Sequence, residues 1–240
     1  MDKQIRNEMK EGLVSAIPVI IGYTPVAIAF GLLAKNNGIT FGDTSLFSII
    51  VYAGASQFMA LDLIQAGVST GSIILATLLL NLRHLMMSAS LSMKLVDAKK
   101  SYLPLVAFGI TDETFSVLSF KDGRLSLPFA IVVNILSYFS WISGTIVGFL
   151  VGEILPKSLQ SSLSIGLYAM FAALLFPQFK REKTTLFLSI LTGIVYILIY
   201  YSKIFTSGWD IIIGIILSSA LGVMIFYKDK ENDQEVDTIE

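Results

Sequence analysis

Seven runs of this chain carry no charged residue for long enough to cross a lipid bilayer: Gly12–Ala34, Thr44–Leu61, Leu63–Leu82, Leu125–Gly152, Ser158–Phe179, Thr184–Ser202 and Ile211–Tyr227. A membrane helix needs about 20 such residues, within a range of about 17–25. A further run, Ser101–Thr111, reaches that length only by continuing through Asp112 and Glu113 to Phe120. The chain is 54% hydrophobic and 15% charged, with a mean hydropathy of +0.74. Ordinary globular domains carry about 25% charged residues, and a single core of this size could not bury so much apolar surface. Soluble enzymes, nucleic-acid binders and disordered proteins are therefore excluded. A β-barrel is excluded as well, because barrel strands alternate polar and apolar residues.

The expected fold is all-α, a polytopic membrane helix bundle of about eight transmembrane segments near 13–34, 45–66, 71–93, 102–120, 129–151, 160–179, 184–203 and 209–227. Residues 1–227 read as one transmembrane domain in the lipid bilayer. Residues 228–240 hold six acids and two lysines and read as an acidic, disordered tail. The chain has no cysteine and one histidine, which leaves no thiol catalysis, disulfide, Cys-ligated zinc or His-rich metal site. No cofactor is expected.

Eight spans with the N-terminus inside place ten Lys and Arg in cytoplasmic segments and six outside, with Arg83 inside a span. That excess favours both termini in the cytoplasm, but Lys94, Lys99 and Lys100 fall on the wrong side. A re-entrant early segment would invert the topology of every later span. Ala27-Ile28-Ala29 resembles a signal-peptide cleavage site, yet the apolar run passes straight through it, so no cleavage is expected. A four-plus-four inverted repeat is compatible with the pattern.

The first half breaks the rules of a simple membrane helix. Pro18, Gly22, Pro25 and Gly31 in the first span predict a kinked or broken helix. Unpaired backbone at membrane depth is tolerated only inside protein or along a watery cavity, and interrupted helices of this kind hold substrates in secondary transporters. Ala53-Gly54-Ala55-Ser56 lets another backbone approach closely, and Gln57 brings donors and an acceptor where lipid has none. In the third span, Thr77, Asn81, His84 and Ser88 share one face, while Arg83 points almost opposite. A midplane arginine costs about 2.5–3.5 kcal/mol to insert and needs an acid nearby. Asp112 and Glu113 supply two, mid-span and about 100° apart around the helix. Three such charges cost about 9 kcal/mol to insert, which packing alone does not explain. One acid can pair with Arg83 while the other faces a cavity. His84 titrates near neutrality and is a candidate proton relay. Asp62 reaches the end of its span. Asn134, Tyr138 and Trp141 share one face of the fifth span, as pocket wall or as packing anchors.

Together, Ala29-Phe30-Gly31, Ala53-Gly54-Ala55-Ser56-Gln57-Phe58, Asn81-Leu82-Arg83-His84-Leu85-Met86 with Ser90-Leu91, and Thr111-Asp112-Glu113-Thr114-Phe115 resemble the AzlC family, the large subunit of bacterial branched-chain amino acid exporters. One departure is Pro25-Val26, where that family would have Pro-Phe. The resemblance implies a bacterial cytoplasmic membrane protein that is not an enzyme. It implies export of leucine, isoleucine, valine or their analogues, driven by the proton gradient, with a small AzlD-type membrane subunit as partner. On that reading the candidate binding or coupling residues are Gly22, Pro25, Gly54, Ala55, Ser56, Gln57, Asn81, Arg83, His84, Asp112 and Glu113. The broken first span and Gly54–Gln57 would offer backbone groups to the substrate. Arg83 would pair with Asp112, Glu113 or the substrate carboxylate, leaving the other acid and His84 for proton coupling.

Two other classes fit the residues less well. Ser56 followed by His84 on the next span is reminiscent of an intramembrane Ser–His hydrolase, but Gln57 stands where that pattern has glycine and there is no second histidine. A channel would want a continuous polar lining, and a structural subunit would not need Arg83, Asp112 and Glu113 together.

Overall fold

The computed structural model describes residues 3–95, 99–121, 123–151, 183–203, 213–214 and 216–225, with Ile154, Ser158, Ala172, Phe176 and Phe179. Among these residues the structure is helical, without strands. The chain divides into two compact units, one of Met1–Asp62 and Leu80–Ala169, the other of Leu63–Leu79 and Met170–Glu240.

The first unit is built on two parallel helices, α1 (Lys3–Asn36) and α7 (Leu127–Val151). Glycines set their approach. A Cβ on Gly12 would stand 3.0 Å from Phe129 O, and one on Gly144 would stand 2.7 Å from Ala27 Cβ. On Gly31 it would overlap the Thr145 carbonyl, and on Gly148 the Ile28 carbonyl. Without side chains at these points the two backbones come together, as small residues allow between membrane helices.

The expectation of a broken first helix is not met: α1 runs unbroken through Pro18 and Pro25. Both prolines lie on its exposed face. So do Val14 and Ile21, whose carbonyls lose a partner to the missing proline N–H groups. The opposite face, Ala16, Val19, Tyr23, Ala27 and Phe30, is buried, and packing on α7 keeps the helix in register. Nearby, Thr24 Oγ1 donates to Ile20 O at 2.8 Å.

The interruptions occur instead in the second and fourth expected spans. The second is α2 (Phe41–Leu46), a π-helical continuation over Phe47–Val51, a break at Tyr52-Ala53, then α3 (Gly54–Gln65). Along α7, it descends from Phe149, which Phe41 meets, to Tyr138, which Tyr52 meets. Then it turns back. Gln57 Nε2 donates to Ser48 Oγ, and Phe58 packs on Phe30, itself against Phe47. The segment therefore leaves by the end through which it came.

The fourth expected span does the same from the opposite end. A 3₁₀ turn at Lys100–Tyr102 leads into α5 (Leu103–Phe108), which reaches Tyr138 through Phe108. The chain breaks at Gly109–Thr111, and α6 (Asp112–Ser119) returns. The end of α4 (Thr70–Ser92) marks the exit: Lys94 Nζ donates to Ser119 O at 2.6 Å, and Leu125 N donates to Lys94 O. Lys121 then reaches the start of α1, 2.5 Å from Glu11 and 3.5 Å from Glu8. Burial pulls the Lys121 ammonium toward neutrality, but the two carboxylates outweigh it and hold its pKa above the ordinary lysine value. Two expected spans are thus re-entrant hairpins. Span length alone could not distinguish a crossing from a hairpin, because both need about 20 apolar residues.

In the second unit, α8 (Lys183–Ser202) and α9 (Ile216–Ile225) run antiparallel, Gly222 beside Leu188 and Gly214 beside Tyr196. α8 matches the expected span at 184–203, and α9 covers ten residues of the one expected at 209–227. The expected span at 160–179 and the acidic tail at 228–240 lie outside the described residues, save Ala172, Phe176 and Phe179.

Candidate functional site

The two hairpin tips meet near the middle of α7. Tyr52, from the first tip, packs on Phe108 of the second with ring centroids 6.1 Å apart, and both rings pack on Tyr138. Tyr52 turns the first hairpin with φ at +43°, a left-handed conformation rare outside glycine. It is 3% exposed, and its hydroxyl meets no hydrogen-bond criterion with a partner among the described residues.

A broken helix frees carbonyls at one side of the break and N–H groups at the other. The face of α7 identified in the sequence meets this need residue by residue. Asn134 Nδ2 donates to Val106 O of the second hairpin at 3.0 Å. Tyr138 Oη donates to Ile49 O of the first at 2.7 Å. Trp141 Nε1 donates to Gln57 Oε1 at 2.9 Å, and its ring tip lies against Gly54, where a Cβ would stand 2.7 Å away. Gln57 is fully buried, and its amide joins a chain through Ser48 to Thr145. Gln57 thus holds the first hairpin on α7 and is not open to a ligand.

The freed N–H groups differ between the tips. In the second hairpin Thr111 closes α6 with a capping box: Thr111 N donates to Thr114 Oγ1 at 2.8 Å and Thr114 N to Thr111 Oγ1 at 3.3 Å. Asp112 and Glu113 occupy its first turn, so this positive helix end already holds two acids. In the first hairpin, Gln57 N is the first donor of α3 to find an acceptor, Ala53 O at 2.9 Å. The N–H groups of Gly54, Ala55 and Ser56 precede it and have no partner among the described residues. That positive end holds no acid among the described residues, and Gly54 and Ala55 are partly exposed there.

The two adjacent acids take different partners. Asp112 Oδ2 lies 2.9 Å from Arg83 Nη1. Glu113 Oε2 accepts a hydrogen bond from Tyr23 Oη at 2.8 Å, and the same phenol oxygen contacts Thr111 Oγ1. Tyr23 also packs edge-on against Trp141, with centroids 5.2 Å apart. Glu113, Tyr23, Trp141 and Gly54 therefore form one continuous layer across the two tips. Arg83 Nε is buried, with no hydrogen-bond partner among the described residues. His84 lies within the field of Arg83 and Asp112 but is bonded to neither, so no hydrogen-bonded relay from His84 to Glu113 is present among the described residues. Ser56 Oγ donates to Asn81 Oδ1 at 2.6 Å, not to His84, which removes the geometry of a Ser–His dyad.

Of the residues singled out from sequence, Gly54, Ala55, Ser56, Asn81, Arg83, Asp112 and Glu113 gather at the tips. Gly22 and Pro25 do not: they lie on the exposed face of α1, with nothing near Gly22. Asp62 is exposed at the end of α3. Tyr23 and Tyr52 escaped the sequence reading. Their signal was a phenol within an uncharged run, where its hydroxyl needs a partner.

The family model described as AzlC protein matches residues 18–155. The inner membrane protein YgaZ of Escherichia coli (strain K12) is 33% identical over 191 residues, covering 76% of this chain and 78% of that protein. An uncharacterized membrane protein of Archaeoglobus fulgidus is 37% identical over 175 residues, covering 71% and 76%. The branched-chain amino acid transport protein AzlC of Bacillus subtilis is 26% identical over 170 residues, covering 70% and 66%. No solved structure matches.

Proposed function

Since the chain belongs to the AzlC family of membrane transport proteins, we propose that it is a secondary transporter exporting branched-chain amino acids, coupled to the proton gradient. The observation that carries this reading is the unequal pair of hairpin tips. An amino acid is a zwitterion, and the two tips offer opposite charge. The first-turn N–H groups of α3, of which those of Gly54 and Ala55 belong to partly exposed residues, suit a carboxylate. Glu113, left over after Arg83 has neutralised Asp112, suits an ammonium group or a proton. The Tyr52, Phe108 and Tyr138 rings add apolar surface for an aliphatic side chain.

The hairpin arrangement also supports a cytoplasmic N-terminus. Among the described residues of the first unit, Lys3, Arg6, Lys10, Lys94, Lys99, Lys100, Lys121 and Arg124 belong to the end where α1 begins, against Lys35 at the other. Lys94, Lys99 and Lys100, misplaced by eight full crossings, join the cationic side once both segments are re-entrant. A small AzlD-type subunit is the expected partner.

Efflux of radiolabelled leucine from preloaded cells tests the proposal. The chain is expressed alone and with that subunit, with and without an uncoupler. Faster efflux that collapses with the uncoupler is expected. Unchanged efflux from a protein shown to be in the membrane would overturn it.

A further inference from the structure

Between α1 and α6, at the end where α1 begins, lies a cavity of about 440 Å³ lined by Glu11, Ser15, Ser116, Val117, Lys121 and Phe129, with Phe120 at its edge. Two of its lining residues relate it to the site. Ser116 is one turn along α6 from Glu113 and so shares its side of the helix. Ser15 stands on the same helix as Tyr23, two turns nearer the surface. Its rim carries the ion pair of Lys121 with Glu11 at 2.5 Å, supported by Glu8 at 3.5 Å and by the Phe129 ring 4.6 Å below the ammonium. That pair ties the returning limb of the second hairpin to α1, and Lys94 fixes the same limb through Ser119 O.

We propose that this cavity is the cytoplasmic access chamber to Glu113, for protons and a small zwitterion, and that the Lys121–Glu11 pair closes it. The volume accommodates an amino acid. The rim pairs one cation with one anion, the charges a zwitterion could exchange with as it passes. Val117 and Phe129 give an aliphatic side chain apolar contact between the rim and Ser116. The inference rests on the cytoplasmic placement of the N-terminus proposed above.

The chain has no cysteine, so one introduced thiol reports on the chamber alone. Ser116→Cys is labelled with a membrane-impermeant maleimide in right-side-out and inside-out vesicles. Labelling is expected from the cytoplasmic face only. It should rise about two- to fivefold when Lys121→Met is added, the range for a pair whose acid is half exposed. Glu11→Lys with Lys121→Glu, which restores a pair of reversed sense, should bring the rate back. Labelling that ignores both changes would overturn the closure, and no labelling from either face would overturn the chamber. Labelling from the external face alone would instead overturn the orientation while leaving the chamber in place. Saturating leucine should slow labelling of Ser116→Cys; protection by Leu but not by Glu would identify the zwitterion as the occupant, and none from either would remove the substrate from the proposal.

Discussion

Asn81 and Arg83, two residues apart on α4, hold opposite hairpins: Asn81 accepts from Ser56 of the first, and Arg83 pairs with Asp112 of the second. Their near-opposite directions are what lets one helix serve both tips. Tyr23 of α1 and Trp141 of α7 close the same layer from the other side. The site is thus framed by three continuous helices, while the two interrupted segments supply its backbone groups.

The Arg83–Asp112 pair should be structural as much as functional. Its side chains are 37% and 27% exposed. Breaking a fully buried pair by removing one partner costs about 3–5 kcal/mol, and partial exposure lowers that to about 1–2 kcal/mol. Arg83→Ala and Asp112→Ala should each lower the unfolding temperature in detergent. The double variant should lose less than the sum of the two. Strict additivity would mean that the pair contributes nothing.

Glu113 and Tyr23 should separate from that pair in their effects. Tyr23→Phe keeps the ring against Trp141 and removes the hydroxyl that donates to Glu113. Protein level should hold while leucine efflux loses its normal pH dependence. Glu113→Gln should abolish stimulation by the proton gradient, and Asp112→Asn should act mainly through stability. If Asp112→Asn and Glu113→Gln both left efflux and its pH dependence intact, the coupling role would be refuted.

Much of the site was legible because its chemistry is expensive in a membrane. Arg83, Asp112 and Glu113 stand out wherever the helix turns, and Asn134, Tyr138 and Trp141 announced a face by spacing alone. The location of the breaks was not legible. Pro18 and Pro25 are the strongest local helix breakers in the first half, yet α1 continues through them where α7 packs closely on it. Tyr52-Ala53 and Gly109–Thr111 carry no proline and still break, because Asn134 and Tyr138 from α7 bond the freed carbonyls. That compensation is tertiary and leaves no mark in the local sequence.

The glycines of α1 should divide sharply. A methyl on Gly31 or on Gly148 of its partner helix would overlap backbone, which cannot move aside as a side chain can. Gly31→Ala and Gly148→Ala should each cost about 1–3 kcal/mol or prevent insertion. Gly22→Ala meets nothing within 4 Å and removes a glycine from mid-helix. It should stabilise the protein by about 0.5–1 kcal/mol and leave efflux unchanged. A large loss of efflux in Gly22→Ala would instead place this residue in the site.

The hairpins make the sharpest prediction, because they exchange the sides of two loops. With eight full crossings and a cytoplasmic N-terminus, Ala66, between α3 and α4, faces the cytoplasm, and Lys99 faces outside. With two re-entrant hairpins the assignments reverse, while Arg124 stays cytoplasmic in both. All three positions are exposed. Single-cysteine variants Ala66→Cys, Lys99→Cys and Arg124→Cys in this cysteine-free chain should react with an impermeant maleimide from outside, inside and inside respectively. The Lys94 hydrogen bond to Ser119 O already requires that the end of α4 and the end of α6 share a face. Lys99→Cys reacting opposite to Arg124→Cys would break that link and restore a fourth crossing, taking the tip-to-tip site down with it.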